Sequence, residues 1–499
     1  MDLRNSHPAI KQQYSSIPIY SLDEKHDSRV HKRVVLEEVP LTNSREEEYD
    51  KLLQIKGSQL VDEAALEDRE FPRFGFLYFG MVGMLCFNFF LQVANYLNCS
   101  FNTGFVDWAV ALYGFANNIG QLIAVFTGSR FRFFPRVWIS SIGLAIVVVG
   151  FPVLSYASVS FGSWLAYGLA LGMGLCTSLM QSAGFGLAGS VSVRAIHWYS
   201  LGQGLAGVLA LPLLLALEYM YTCMGLEPKA ATADVPSAVD GAASLTMLVI
   251  CAVCTLCLIP YYYFGLSRNR LVAAKLEKLE ATLTTHSLAE YTEGIVHTLP
   301  MATCVWFVMF VTFLAFPSRI LSWKSPSKIY SQNFFISVNI YLFAIFDVVG
   351  RWVAVAGVSL SQLAVWASSP WRIFIVLVMY LSSYEVWWFG NDVVRVVLVV
   401  ALAFTNGYFI NWCMMLGPQG AKNPDIASYT MSFFLVNGIL CGSLVCVALD
   451  SLIRRSTNAA IETSNDVEGV ISVGAVALET AVNAALWGPA DPFLAASGK

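Results

Sequence analysis

Within the apolar run FAIFDVVGRWVAV, residues 343–355, stand one acid, Asp347, and one base, Arg351. On a helix their four-residue spacing puts both on one face, a turn apart, where they can neutralise each other. A lone charge at the centre of a bilayer costs roughly 2.5–3.5 kcal/mol on insertion scales. Such residues therefore pair, face a wet cavity, and mark a path for something polar. A chain with such a pair is expected to move a polar solute across a membrane.

Other polar residues lie in equally apolar surroundings. Gln181, in SLMQSAGFGLAG, has an amide that must find a partner, either on a neighbouring helix or on a solute. Asn88, Asn117, Asn118, Gln121, Asn406 and Asn411 are further intramembrane amides, read as links between helices. A cavity of amides and aromatics suits an uncharged, planar, hydrogen-bonding solute better than an ion. Glu218 has no base within sequence reach; it either snorkels to the interface or serves as a cation or proton site.

Some motifs lose their usual meaning here. GQGLAG, residues 202–207, matches a dinucleotide-binding turn, but the strand and βαβ unit that such a turn requires are missing. Gly202, Gly204 and Gly207 are read instead as small residues that let helices approach closely. Cys251, Cys254 and Cys257 have metal-like spacing, but no His or carboxylate converges on them, so no metal is expected. Cys99 and Cys223 fall in loops on the same side, where a disulfide between them is allowed. Hydrolase, zincin and P-loop signatures are absent, so neither an enzyme nor a cofactor is expected. Without a basic block, nucleic acid is not an expected partner.

The elements that position these residues follow from composition. Of the 499 residues, 56% are hydrophobic and 13% charged, where a soluble protein would carry about 25% charged. An all-α polytopic membrane protein is expected, with eleven spans near 75–97, 107–128, 135–156, 162–187, 199–221, 242–265, 299–320, 331–355, 359–383, 394–416 and 426–450. The long break divides the chain. Residues 1–70 read as a cytoplasmic, largely disordered tail, 71–265 as a six-helix bundle, 266–298 as a cytoplasmic linker, 299–453 as a five-helix bundle and 454–499 as a second tail.

Basic residues set the orientation. Arg130, Arg132, Arg136, Arg194, Arg268, Arg270, Lys275 and Lys278 all share the side of the N-terminal tail, which places that side in the cytoplasm. Arg319, Lys324 and Lys328, and further on Arg454 and Arg455, dissent from the outer side. The sequon Asn98-Cys99-Ser100 makes Asn98 a glycosylation candidate in the first outer loop. In the tail, Glu48 to Leu53 (EYDKLL) has the acidic dileucine form read by sorting adaptors.

Three stretches together carry a family resemblance: MQSAGFGLAG with SLGQGLAGV (180–189 and 200–208), IFDVVGR (345–351), and FTNGYF with MMLGP (404–409 and 414–418). In order and spacing they resemble the hallmarks of equilibrative nucleoside transporters, and the likeness covers about residues 74–450. It implies a 6+5 two-bundle, major-facilitator-like architecture with a cytoplasmic N-terminus and an outer C-terminus. It also implies that the counterpart of Gln181 faces a nucleobase and the counterparts of Asp347 and Arg351 face the sugar. The family's first-span Pro-Trp-Asn is Cys86-Phe87-Asn88 here, which places Phe87 and Asn88 among the substrate-binding positions, and Ala344 stands where an Asn is frequent.

The resulting expectation is an alternating-access transporter of nucleosides, purine nucleosides foremost, and of nucleobases. The alternatives are an organic cation or monoamine carrier of the same family, with Glu218 meeting the charge, and a non-transporting receptor. The plasma membrane is the expected location, with an endosomal or vacuolar membrane as the alternative that EYDKLL allows.

Overall fold

A backbone crossing hydrocarbon has no water to satisfy its N–H and C=O groups, so apolar runs of this length are driven into helices. The computed structural model describes residues 71–101, 105–157, 162–226, 238–281, 288–323, 332–356, 360–385 and 387–463, all within one unit, Glu67–Lys499. The N-terminal tail with Glu48 to Leu53, Lys324, Lys328 and the chain beyond 463 lie outside the described residues.

Among the described residues eleven helices are long and apolar enough to span a membrane, and no strand occurs. They are α1 (Arg73–Gln92), α2 (Phe105–Thr127), α3 (Phe133–Ala157), α4 (Gly162–Val191), α5 (Val193–Cys223), α6 (Ala238–Leu266), α7 (Leu288–Phe313), α8 (Gln332–Ala356), α9 (Gln362–Ser383), α10 (Asp392–Leu416) and α11 (Pro424–Thr463). Side-chain caps start several of them. Ser192 accepts from the Ala195 N–H ahead of α5, Ser361 from Ala364 ahead of α9, and Asn391 from Val393 ahead of α10.

Some helices are apolar outward and more polar inward, the reverse of a soluble bundle. On α2 the exposed stripe is Phe115, Ile119, Leu122, Ile123 and Phe126, whereas Asn117, Asn118 and Gln121 are buried. Lipid takes the apolar face, and the amides find partners inside.

Helix pairing divides the bundle. In the first six helices α1 packs on α5, α2 and α3 on α4, and α6 on α1, α3 and α5; in the last five α7 packs on α11, and α8 and α9 on α10. Between the halves α5 meets α8 and α10, and α11 meets α2 and α4. Advancing every helix number by six, in a cycle of twelve positions whose twelfth is vacant, turns α1–α5 into α7–α11, α2–α4 into α8–α10, and α2–α11 into α8–α5. The contacts thus follow a parallel internal repeat with no counterpart to α6 in the second half.

Several boundaries differ from the sequence reading. The stretch expected as linker, 266–298, is largely helical: a π-helical turn, Tyr261–Leu266, ends α6, a short amphipathic helix covers Arg270–Ala281, and α7 begins at Leu288. Pro300 lies inside α7, so a proline that looks like a helix start in sequence sits mid-helix. The last helix runs on to Thr463, into the stretch expected as tail.

Two arginines counted in the orientation argument are buried. Arg136, on α3, donates to Gly128 O, the Tyr429 hydroxyl and Ser182 Oγ. Arg319 pairs with Asp450 and lies over the Tyr380 ring at 4.6 Å.

Candidate substrate site

The Asp347–Arg351 pair lies on the face of α8 turned to α5 and α10. Two glycines set the α8–α10 distance: a Cβ on Gly407 would fall 1.9 Å from Asp347 O, and one on Gly350 2.2 Å from Phe404 O. The backbones touch there, which brings the side chains of α10 onto the carboxylate.

Both charges are almost wholly buried, Asp347 at 6% and Arg351 at 8% exposure. Arg351 Nε donates to Asp347 Oδ2 at 2.8 Å. Its NH1 reaches across to α5 and donates to both Ser200 O and Ser200 Oγ, each at 2.9 Å. On the other side Asn406 Nδ2 donates to Asp347 Oδ1 at 2.7 Å. Below them Asn411 Nδ2 lies 3.1 Å from Arg351 O and 2.8 Å from His197 Nδ1. The pair is therefore both an ion pair and a strap between the halves. Each carboxylate oxygen, holding one donor, keeps acceptor capacity for another.

Behind Asn406 lies a further charge. Arg372, on α9, is 1% exposed and donates to Val308 O (2.6 Å), Thr312 Oγ1 (2.6 Å) and Thr405 Oγ1 (3.1 Å), with longer contacts to Leu402 O and Asn406 Oδ1 at 3.4 Å. Thr312 Oγ1 lies 2.7 Å from Asn406 Oδ1. A reading centred on residues 343–355 passes over Arg372. Its signal was an arginine inside the ninth apolar run, which the cost of intramembrane charge marks by itself. Ser200 and His197 carried no such signal, because a serine or histidine near a helix start is unremarkable in sequence.

The remaining expected positions fall around this seam and apart from it. Gly204 and Gly207 face α8: a Cβ on Gly204 would lie 2.9 Å from Val348 Cγ2 and 3.2 Å from Arg351 Nε, and one on Gly207 3.2 Å from Asn88 Oδ1 and 3.8 Å from Ala344 Cβ. Asn88, half-buried on α1, thus sits across α5 from the turn of α8 preceding Asp347, its amide donating to Met84 O. Phe87 stacks on Tyr113 with centroids 4.3 Å apart. Gly202 meets α1 instead, its Cβ position 2.0 Å from Leu77 O.

Gln181 is 2% exposed; its Oε1 accepts from Gln121 Nε2 at 3.1 Å and its Nε2 lies 2.8 Å from Met84 Sδ. The amide is engaged on α2 and α1, and no contact joins it to the pair on α8. Glu218 is half-buried near the C-terminal end of α5, where its carbonyl accepts from Thr222 Oγ1. Asn98 lies in a short helix, Ala94–Ser100, and its Oδ1 accepts from Val106 N near the start of α2. Cys99 and Cys223 are free thiols, and Cys251 Sγ packs 3.5 Å from Cys86 Sγ.

A family model described as Nucleoside transporter matches residues 169–450, which include every residue of the Asp347 cluster. Among curated proteins the chain is similar to Equilibrative nucleoside transporter 1 of Rattus norvegicus, 29% identical over 177 residues that cover 31% of this chain and 36% of the relative. It is also similar to Equilibrative nucleoside transporter 1 of Homo sapiens, 28% identical over 163 residues that cover 29% and 34%. The matched segments thus span about a third of the length of these relatives. Among solved structures, a double-tryptophan variant of XylE aligns with TM-score 0.55 and 11% identity over 84% of this chain and 95% of that one. The major facilitator superfamily proton:xylose symporter XylE aligns with TM-score 0.51 and 12% identity over 84% and 94%. At that identity the likeness concerns the fold alone: all-helical and of the major facilitator kind.

Proposed function

The chain belongs to the nucleoside transporter family, and on that premise we propose that it carries purine nucleosides, together with nucleobases, across a membrane by exposing the Asp347–Arg351 site to one side at a time. The observation that carries this reading is the strap from Arg351 to Ser200, a pair of charge-assisted hydrogen bonds crossing the seam between two repeat-related halves. Two halves joined by a polar contact at the binding level need only rock to expose it alternately. A solute whose hydroxyls bond to Asp347 and Arg351 can take over bonds that the strap gives up, so the binding energy lowers the cost of opening it.

Ribose suits the pair, offering vicinal hydroxyls that both donate to the carboxylate and accept from the guanidinium. A planar base suits the amide and aromatic side of the seam. Gln181 Nε2 now rests against a thioether, a weak acceptor, and gains by exchanging it for a ring nitrogen. An organic cation is the poorer cargo, because Asp347 already faces two guanidiniums, Arg351 directly and Arg372 through Asn406. The membrane fitting this reading is the plasma membrane, with EYDKLL as the signal that would redirect the chain inward.

Counterflow in proteoliposomes tests the proposal. Labelled adenosine outside should exchange with unlabelled adenosine trapped inside, competed by nucleosides and bases and not by monoamines. Binding without exchange would identify a receptor, and exchange competed by amines alone would replace the nucleoside with a cation as cargo.

A further inference from the structure

Arg372 lies beyond the pair that a solute would meet, yet its hydrogen bonds run toward that pair in one direction. A guanidinium can only donate and an ionised carboxylate can only accept, so a chain of hydrogen bonds between them has a fixed polarity. Arg372 NH2 donates to Thr312 Oγ1 at 2.6 Å. The Thr312 hydroxyl has one proton and two acceptors in reach, Val308 O at 2.8 Å and Asn406 Oδ1 at 2.7 Å. Arg372 NH1 donates to Val308 O at 2.6 Å, which leaves Asn406 the better acceptor for the threonine proton. With its oxygen held by Thr312 and, at 3.4 Å, by Arg372 itself, the Asn406 amide must turn its N–H toward Asp347 Oδ1.

We propose that Arg372 is a positioning residue for the substrate site: through Thr312 and Asn406 it fixes the rotamer of Asp347 and so determines which lone pairs of that carboxylate a solute's hydroxyls meet. Each link supports the next, because hydrogen bonds in series polarise one another in a low-dielectric interior. The relay joins α9, α7 and α10 to α8, all in the second half, so the carboxylate keeps its aim when the halves rock. The inference rests on the reading of Asp347 as an acceptor for substrate hydroxyls.

The relay can be cut without touching either charge. Thr312→Val keeps the shape and removes the hydroxyl, whereas Thr312→Ser keeps the hydroxyl. Losing one such bond is expected to raise the KM for adenosine by about three- to ten-fold, to leave kcat close to wild type, and to reduce the preference for adenosine over 2'- and 3'-deoxyadenosine by a similar factor. Thr312→Ser should restore both. Arg372→Lys keeps the charge but loses the planar fork, and should reproduce the Thr312→Val pattern. A loss shared equally by all three nucleosides, or a wild-type profile in Thr312→Val or Arg372→Lys, overturns the relay.

A readout without substrate separates this inference from the transport reading. In purified protein the carboxylate stretch of Asp347, assigned by its loss in Asp347→Asn, should shift in Thr312→Val and return in Thr312→Ser. If wild type carries no nucleoside, the transport reading fails while this band still decides the relay. An unmoved band refutes it.

Discussion

Asp347 holds one hydrogen bond on each carboxylate oxygen, from Arg351 and from Asn406, and retains an accepting lone pair on both. Removing one partner of a buried pair leaves the other charge unmet, which makes the site sensitive to single substitutions. Asp347→Asn preserves shape and part of the hydrogen bonding. A bond to a charged group is worth roughly 1.5–3 kcal/mol, so adenosine uptake should weaken by about ten-fold to somewhat over a hundred-fold. Adenine uptake should change little, because adenine carries no sugar. Uptake of the two by the same cells checks this, and equal loss of both, with falling surface expression, would make the pair a lock between helices. If wild type carries no adenine, 2'- and 3'-deoxynucleosides take its place, and a variant that discriminates them as wild type does would refute the ribose site.

At the scale of helices, the glycines divide by what their missing Cβ would strike. Gly202 faces the backbone of α1, with Leu77 O 2.0 Å from the Cβ position, whereas Gly204 faces side-chain atoms on α8, Val348 Cγ2 at 2.9 Å and Arg351 Cδ and Nε at 3.2 Å. Side chains can shift by tenths of an ångström, but a helix backbone moves only as a whole. Gly202→Ala is therefore expected to destabilise the protein by about 1–3 kcal/mol, read as a lowered melting temperature in detergent. Gly204→Ala should stay near wild type in stability with modestly reduced uptake, and Gly204→Leu should abolish uptake by forcing α5 from α8. Equal damage from Ala and Leu at Gly204, with folded protein in the membrane, would show that the backbone there needs glycine for its conformation.

The polar straps between the halves lie toward the end of the bundle where Arg130, Arg132, Arg268 and Arg270 are exposed: Arg351 to Ser200, Asn411 to His197, and Arg136 to Tyr429. The positive-inside rule predicts that this end faces the cytoplasm, where these straps would hold the bundle closed. Rocking must separate these contacts, and a covalent tie across them must stop it. A Cβ on Gly189 of α4 would lie 3.0 Å from Ser428 Cβ of α11, so the two helices must ease apart to reach the spacing of about 3.5–4.5 Å that a disulfide takes. Gly189→Cys combined with Ser428→Cys should cross-link under mild oxidant, arrest adenosine exchange, and recover with reductant, while either single variant stays insensitive. Continued exchange in the cross-linked protein would rule out separation at this seam. Orientation has its own test: in intact cells with the protein at the surface, an N-terminal tag should be hidden and a C-terminal tag exposed. Exposure of both or neither would defeat the assigned odd number of crossings.

The sequence by itself determined the all-helical membrane class, the eleven spans and the face shared by Asp347 and Arg351. These depend on local quantities: the length of an apolar run, the spacing of two residues along one helix, the cost of a charge in lipid. The family likeness was legible for the same reason, since its strings are short and contiguous. Only the tertiary structure decided which polar residues meet. Gln181 finds Gln121 sixty residues away and Arg351 finds Ser200 across the seam, while Arg372, silent in a motif-based reading, joins Asp347 through residues of α7 and α10. In a bilayer every buried polar group must be satisfied, but sequence does not say by whom. That choice is made by helix packing, here by glycines that let two backbones touch and bring side chains from distant parts of the chain within 3 Å.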